Sequence, residues 1–152
     1  MRDVVSPPLR ARLLLPRADL ASLIFAAIIR DTQDAGLDDG ERFNHFPASP
    51  LCSATFVRNG SLYLSDGRGT IAATPLPEIF VAGPFSRPLT SWSPDGVSVM
   101  TIGLYPDALR ALSGIDPGSI RGRILALDAL PPGQFRDLLR NLAVSDDLPS
   151  AF

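Results

Sequence analysis

The pattern of apolar and polar positions predicts a series of short strands in the first two thirds of the chain. Fifteen prolines are spread along the sequence and separate the apolar stretches, as expected of a β-rich domain with many turns. Alternation and apolar content indicate strands at residues 52–57, 62–64, 78–82, 88–92 and 97–104. Residues 32–41 are polar and rich in glycine and aspartate, which predicts a loop.

Two local patterns add detail to this part of the chain. Residues 20–30 hold a nearly continuous apolar run after Asp19, which suits a helix N-cap. We predict a brief helical turn there, followed by a buried strand through residues 28–29. Asn59-Gly60 lies between two strand-like segments and is a strong hairpin signal, so the strands on either side are expected to pair with each other.

From residue 106 onward the hydrophobic period becomes that of helices. Pro106 suits the first turn of a helix, and Gly114 suits its C-terminal end. A second helical turn is expected at Asp116-Pro117, a strand at 124–127, and the clearest helix within 128–144. The apolar stripe of that helix packs either on its own sheet or on its mate in a dimer, and the pattern leaves both open. The stripe consists of Phe135, Leu138, Leu139 and Leu142.

Composition limits the class of protein. The 152 residues, with 45% hydrophobic and 20% charged side chains, suit one globular domain. The net charge of −2 argues against a nucleic-acid-binding surface on this segment. Cys52 is the only cysteine, so no intrachain disulfide forms. The apolar stretches are too short for a signal peptide or a membrane span, and we predict a soluble, cytoplasmic protein with no membrane partner.

The most specific part of the sequence is the order of motifs in residues 80–114. It runs FVAGP, then RP, then IGLYPDA, then LSG, and the earlier segment RFNHFPASP at 42–50 belongs to the same set. This order resembles the N-terminal sensor domain of AraC/XylS-type transcriptional regulators, over about residues 8–145. The resemblance implies an α+β fold, with an antiparallel β-barrel-like (cupin-like) half followed by short C-terminal helices.

The resemblance also implies an organisation and a role. Residues 1–145 would form a single sensor-like domain, and residues 146–152 a linker or an artificial end. The domain would bind a small effector, form a homodimer, or both, with no catalysis and no cofactor. DNA would be contacted only through a C-terminal helix-turn-helix domain that this sequence does not include.

Five residues are candidate ligand contacts: Phe43, His45, Phe46, Arg87 and Trp92. His45 is the only histidine and lies between aromatic residues, a combination that suits an apolar pocket with one polar contact. Its alternative role is to hydrogen-bond a nearby carbonyl and hold the loop. Trp92 would otherwise pack in the core, and Arg87 would either bind an acidic ligand or close a turn.

Sequence motifs for catalysis or metal binding are missing. There is no Gly-x-Ser-x-Gly elbow, and one histidine and one cysteine lack the spacing of metal ligands, so we predict no catalytic residue and no metal site. Cys52 lies in a predicted strand, where a buried and inert thiol is favoured over a dyad with His45. Two alternatives to the sensor remain, a small cupin-like enzyme and a ligand-free protein-interaction module.

Overall fold

The computed structural model describes residues 10–145, in which two antiparallel sheets hold the strands and two short helices follow them. The strands are β1 Arg10–Leu14, β2 Ile24–Asp31, β3 Phe43–Phe46, β4 Cys52–Asn59, β5 Tyr63–Ser65, β6 Ile79–Ala82, β7 Leu89–Trp92, β8 Ser98–Leu104 and β9 Ile124–Ala126. The helices are α1 Pro106–Ser113 and α2 Gln134–Ala143, and 3-10 turns cover Pro117–Ile120 and Leu127–Ala129. The predicted tail at 146–152 lies outside the described residues.

The strand order fixes the architecture. The large sheet has six strands in the order β1-β2-β8-β4-β6-β9, and the small sheet has three in the order β3-β7-β5. Within residues 10–145 the two sheets do not close into a continuous barrel. The predicted class, an antiparallel α+β fold with short C-terminal helices, is confirmed.

The large sheet buries its two faces differently, because successive side chains of a strand point to opposite sides. One face, here the helix face, packs against α1 and α2. Phe56 and Met100 of the sheet lie there in one buried cluster with Leu109, Phe135 and Leu139 of the helices. The opposite face, here the inner face, is turned towards the small sheet.

The helices begin and end as the sequence predicts. Pro106 occupies the first turn of α1, and Gly114 ends it in the left-handed region at φ 74°, donating its N–H to the carbonyl of Arg110. In α2, Phe135 and Leu139 are buried against the sheet while Leu138 is 47% exposed. The stripe of α2 therefore packs largely within its own domain.

The predicted hairpin at Asn59-Gly60 is wrong. β4 pairs with β6 and β8, whereas β5 pairs with β7 of the other sheet. The chain crosses between sheets at Gly60, because Val57 and Leu62 on either side of it both pack in the space between the sheets. Gly60 has φ 81°, and a Cβ there would lie 2.5 Å from the carbonyl oxygen of Gly96.

The N-terminal part agrees with its prediction in one respect and differs in two. Residues 18–23 form hydrogen-bonded turns, and the Ile24 N–H donates to the Leu20 carbonyl as in one turn of helix, so the predicted helical turn before β2 is present. The strand β1 was missed, because its short charged and apolar sequence resembles a flexible terminus. Ile28 was predicted to be buried but is 49% exposed, since nothing in the described residues covers this part of the inner face.

Candidate functional site

Strand pairing arranges the inner face of the large sheet into rows of side chains. One row runs across β1, β2, β8, β4 and β6 and consists of Leu13, Ile28, Thr101, Thr55 and Phe80. Directly opposed residues of antiparallel strands point to the same side, with their Cβ atoms about 4.5–5.5 Å apart. Exposure changes along this row, so the inner face divides into two halves.

The covered half consists of Val57, Phe80 and Val99, which pack with Leu62 and Val97. Leu62 comes from the segment that leads into the small sheet, so that segment covers this half. The end of this half near Val97 is closed by hydrogen bonds from Thr32, the residue after β2. The Thr32 hydroxyl accepts from the Val97 N–H at 2.9 Å and donates to its carbonyl at 3.3 Å.

The open half consists of Leu13, Phe25, Ile28, Arg30 and Thr101, on β1, β2 and β8. Its three large apolar side chains are solvent-exposed, at 64% for Leu13, 54% for Phe25 and 49% for Ile28. The rest of the row is half-buried at Thr101 and buried at Thr55 and Phe80, so the exposure is confined to one end of the sheet. A contiguous exposed apolar surface of this kind marks an interaction site in a folded protein.

A β-bulge brings Phe25 onto this surface. The pairing of β2 with β8 shifts between Ile24 and Ala26, which leaves Phe25 as the extra residue. Its Cβ lies close to Gly103, where an added Cβ would be 3.7 Å away. The Phe25 ring also meets the ring of Tyr105 edge-on, at 6.3 Å between centroids. Tyr105 is the N-cap residue of α1, so the open half adjoins the start of that helix.

Arg30 supplies the charge of the open half. It lies opposite Val99 in the pairing of β2 with β8, so its side chain leaves the sheet on the inner face. The guanidinium is half-buried, and burial lowers its pKa from the ordinary arginine value. Within residues 10–145 it makes no hydrogen bond and no ion pair. A half-buried cation without an internal partner is unusual, because desolvation is unfavourable unless the charge is paired.

Two hydroxyl groups lie beside this charge. The Oγ1 atoms of Thr55 and Thr101 are 3.0 Å apart, across the pair of β4 and β8. Thr55 is buried and Thr101 is half-buried. The pair has two hydroxyl protons but uses one in its mutual hydrogen bond, which leaves the second proton free to donate to another molecule.

The structure brings three of the five predicted ligand contacts, Phe43, His45 and Trp92, onto one face of the small sheet, while Phe46 and Arg87 lie elsewhere. Phe43 pairs with Trp92, and Trp92 pairs with Tyr63, so these three aromatics share one face of the small sheet. The rings of Tyr63 and Trp92 meet at 5.8 Å between centroids. His45 lies on the same face, exposed, and Arg87 is exposed in the turn before β7.

Phe46 lies on the other face of the small sheet. It shares that face with Leu64. Of the five predicted contacts, only Phe46 lies on this face of the small sheet. Its side chain is partly exposed, like the side chains of the open half.

His45 and Cys52 occupy separate sheets. The Nδ1 atom of His45 is 3.1 Å from the hydroxyl oxygen of Thr90, so its partner is a side chain and not the expected carbonyl. Cys52 is buried on the helix face, and burial raises the pKa of its thiol. Its thiol is therefore the buried, inert one that the sequence favours.

Two surface grooves lie outside the open half. One, of about 470 Å³, runs between the end of β4 and the end of α2, where Arg58 donates to the carbonyl of Ser145. The other, of about 500 Å³, includes four prolines in its walls. Neither groove contains any of the five predicted ligand contacts. The four prolines are Pro50, Pro84, Pro106 and Pro117.

Comparison with known proteins identifies no family for this chain. No protein-family description matches the sequence, and no curated protein matches it. A putative ethanolamine utilization protein Q from Salmonella typhimurium LT2 is similar in structure, at 15% identity and a TM-score of 0.42. The match covers 64% of this chain and 70% of that one.

A second similar structure is the oxalate decarboxylase of Bacillus subtilis, in a form studied for its Mn(II) centres. It has 13% identity and a TM-score of 0.41, with 88% of this chain covered and 41% of that one. This chain therefore spans about two fifths of that enzyme. Both similar proteins have the cupin fold. Nothing in these matches is specific to an AraC-type regulator.

The exclusion of catalysis from the sequence was wrong. Oxalate decarboxylase, which is among the similar structures, is an enzyme. The metal centres of that enzyme have no counterpart in the described residues. Within residues 10–145, no three histidine, cysteine, aspartate or glutamate side chains come together in a group that fits a metal ion.

None of the helices described between residues 10 and 145 is long and apolar enough to cross a bilayer.

Proposed function

We propose that this chain is a small-molecule-binding domain with a cupin-like fold, and that the open half of the inner face is its binding surface. The observation that carries the proposal is the exposure of Leu13, Phe25 and Ile28 side by side on a sheet whose other half is buried. Covering apolar surface is favourable by about 25 cal/mol per Å². A ligand that covers these three side chains gains binding energy from that source.

The composition of the open half suits a small ligand. Binding sites for small molecules are mostly apolar and aromatic, with a few polar groups that fix orientation. Here the apolar groups are Leu13, Phe25 and Ile28, and the polar groups are Arg30 and Thr101. The side chains stand on paired strands, so the surface exists before a ligand arrives.

The proposal also includes a regulatory role for the domain. It is supported by the sequence resemblance to regulator sensor domains and by the contact between Phe25 and Tyr105. Tyr105 donates its N–H to the carbonyl of Leu23 and precedes α1, and α1 packs on α2. A ligand on Phe25 would favour one position of Tyr105, and thereby of the helices, if it binds that state more tightly.

The test compares two exposed apolar residues. Ile28 in the open half is 49% exposed and Leu138 on α2 is 47% exposed, so Ile28→Glu and Leu138→Glu are matched in burial. We expect 4-phenylbutan-1-ol, a neutral apolar probe, to bind the parent and the Leu138→Glu protein with similar affinity in calorimetric titration. Ile28→Glu should weaken binding at least about tenfold, because a charge then faces the apolar probe.

Circular dichroism and thermal unfolding of both variants establish that each is folded before titration. The proposal fails if the parent does not bind the probe, or if Ile28→Glu binds it as tightly as Leu138→Glu does.

A further inference from the structure

The open half has a single charge, and that charge is positive. The inner-face residues of β1, β2 and β8 include Arg30 but no aspartate or glutamate. The neighbouring Asp31 points to the other face, and its carboxylate accepts the N–H of Gln33 at 3.0 Å. No carboxylate of these strands therefore neutralises the guanidinium.

The position of Arg30 suits a shared contact with Thr101. Ile28 is opposite Thr101 and Arg30 is opposite Val99, so Arg30 and Thr101 are diagonal neighbours on one face. Diagonal pairs in antiparallel sheets have Cα atoms about 7–8 Å apart, a distance that a long side chain spans. The guanidinium and the free hydroxyl proton of the Thr55–Thr101 pair can therefore both reach one acceptor group between them.

We propose that the ligand of the open half carries a carboxylate, bound by the guanidinium of Arg30 and the hydroxyl of Thr101, with its apolar part on Ile28, Leu13 and Phe25. This inference rests on the proposed function. The planar, forked guanidinium matches a carboxylate with two parallel hydrogen bonds. Pairing with the ligand also compensates the partial burial of Arg30, which no group of residues 10–145 does.

Carboxylate is favoured over other charged groups for two reasons. An ammonium group would face a cation with no acidic side chain near it, which is repulsive. A phosphate ester carries more charge and more acceptor oxygens than one arginine and one hydroxyl satisfy. The donors of the open half, Arg30 and Thr101, therefore match a group with one charge and two oxygens.

The experiment compares three probes that differ in one group: 4-phenylbutyrate, 4-phenylbutan-1-ol and 4-phenylbutylammonium. Calorimetric titration of the parent should give 4-phenylbutyrate an affinity at least about tenfold above that of the alcohol, as expected for charge-assisted hydrogen bonds. The ammonium probe should bind most weakly. These comparisons need no variant and do not depend on how a substitution folds.

Variants then locate the preference. Arg30→Met keeps the length of the side chain and should remove the preference for the carboxylate while leaving the alcohol bound. Arg12→Met is the matched control, because Arg12 is opposite Ile29 and therefore on the other face of the same sheet. It removes the same charge from the exposed side chain of Arg12 and should leave the preference within about twofold of the parent, because exposed charges are screened.

The outcomes separate this inference from the proposed function. If the parent binds the alcohol and the carboxylate equally well, the inference of a carboxylate ligand is wrong, while the proposed apolar binding site is still supported. Equal loss of the preference in Arg12→Met and Arg30→Met also overturns it, since the effect is then one of net charge. If the parent binds none of the three probes, the proposed function itself fails.

Discussion

The covered and open halves of the inner face are built from the same sheet and the same alternation, yet they differ in what they touch. In the covered half, Phe80 and Val57 pack on Leu62, which precedes the small sheet, and Phe80 is 6% exposed. In the open half, Ile28 belongs to the same row as Phe80 but lies under no described residue. The difference teaches that a row of apolar side chains serves stability at one end and is available for binding at the other.

The largest expected effect on the free energy of unfolding comes from a substitution in the covered half. Phe80→Ala removes a buried ring between the two sheets and should lower the free energy of unfolding by about 3–5 kcal/mol. Ile28→Ala, in the same row, should lower it by less than about 1 kcal/mol, because half of that side chain is already in water. Urea unfolding of both variants checks the contrast. Equal losses would mean that Ile28 is a core residue in solution and that the open half is closed.

A smaller effect is expected at the boundary of the two halves. Thr101→Val leaves the buried hydroxyl of Thr55 without its partner and should lower the free energy of unfolding by about 1–2 kcal/mol. The double variant Thr55→Val/Thr101→Val removes both polar groups and should recover part of that loss. The four proteins form a double-mutant cycle in urea. A coupling energy near zero would show that the hydrogen bond is not formed in solution.

The smallest effect concerns the connection between the open half and the helices. Saturation with 4-phenylbutan-1-ol should slow amide hydrogen exchange at Tyr105 and in α1 a few-fold, because Phe25 and Tyr105 are in ring contact. Tyr105→Ala should keep the probe bound and abolish that protection in α1. Unchanged exchange of α1 in the parent at saturation would count against the regulatory part of the proposed function.

Local sequence signals predicted correctly those features of the fold that depend on a single residue. Pro106 and Gly114 give the bounds of α1 because a missing N–H and a left-handed φ are properties of single residues. Asn59-Gly60 predicted a turn correctly but its partner strands wrongly. Pairing depends on which sheet buries Val57 and Leu62, and that is a tertiary property.

The candidate site was harder to predict than the fold. The aromatic segment around His45 attracts attention by composition, yet Phe43, His45 and Trp92 lie on the face of the small sheet opposite to that of Phe46 and Leu64. The signal for the open half was the alternation of Ile28 and Arg30 in β2. Its meaning depends on knowing that β1 ends the sheet, which the sequence of β1 does not reveal.

The strand order has a consequence for folding. β2 lies beside β8 in the sheet, although the strands cover Ile24–Asp31 and Ser98–Leu104, so the surface of the open half joins distant parts of the chain. Such non-local pairing forms late and slowly, on a timescale of about milliseconds to seconds. A molecule that needs both Ile28 and Thr101 therefore binds only chains that have completed the sheet. By mass action, the ligand would raise the fraction of folded protein. The amount of folded protein in the cell would therefore increase with the ligand concentration.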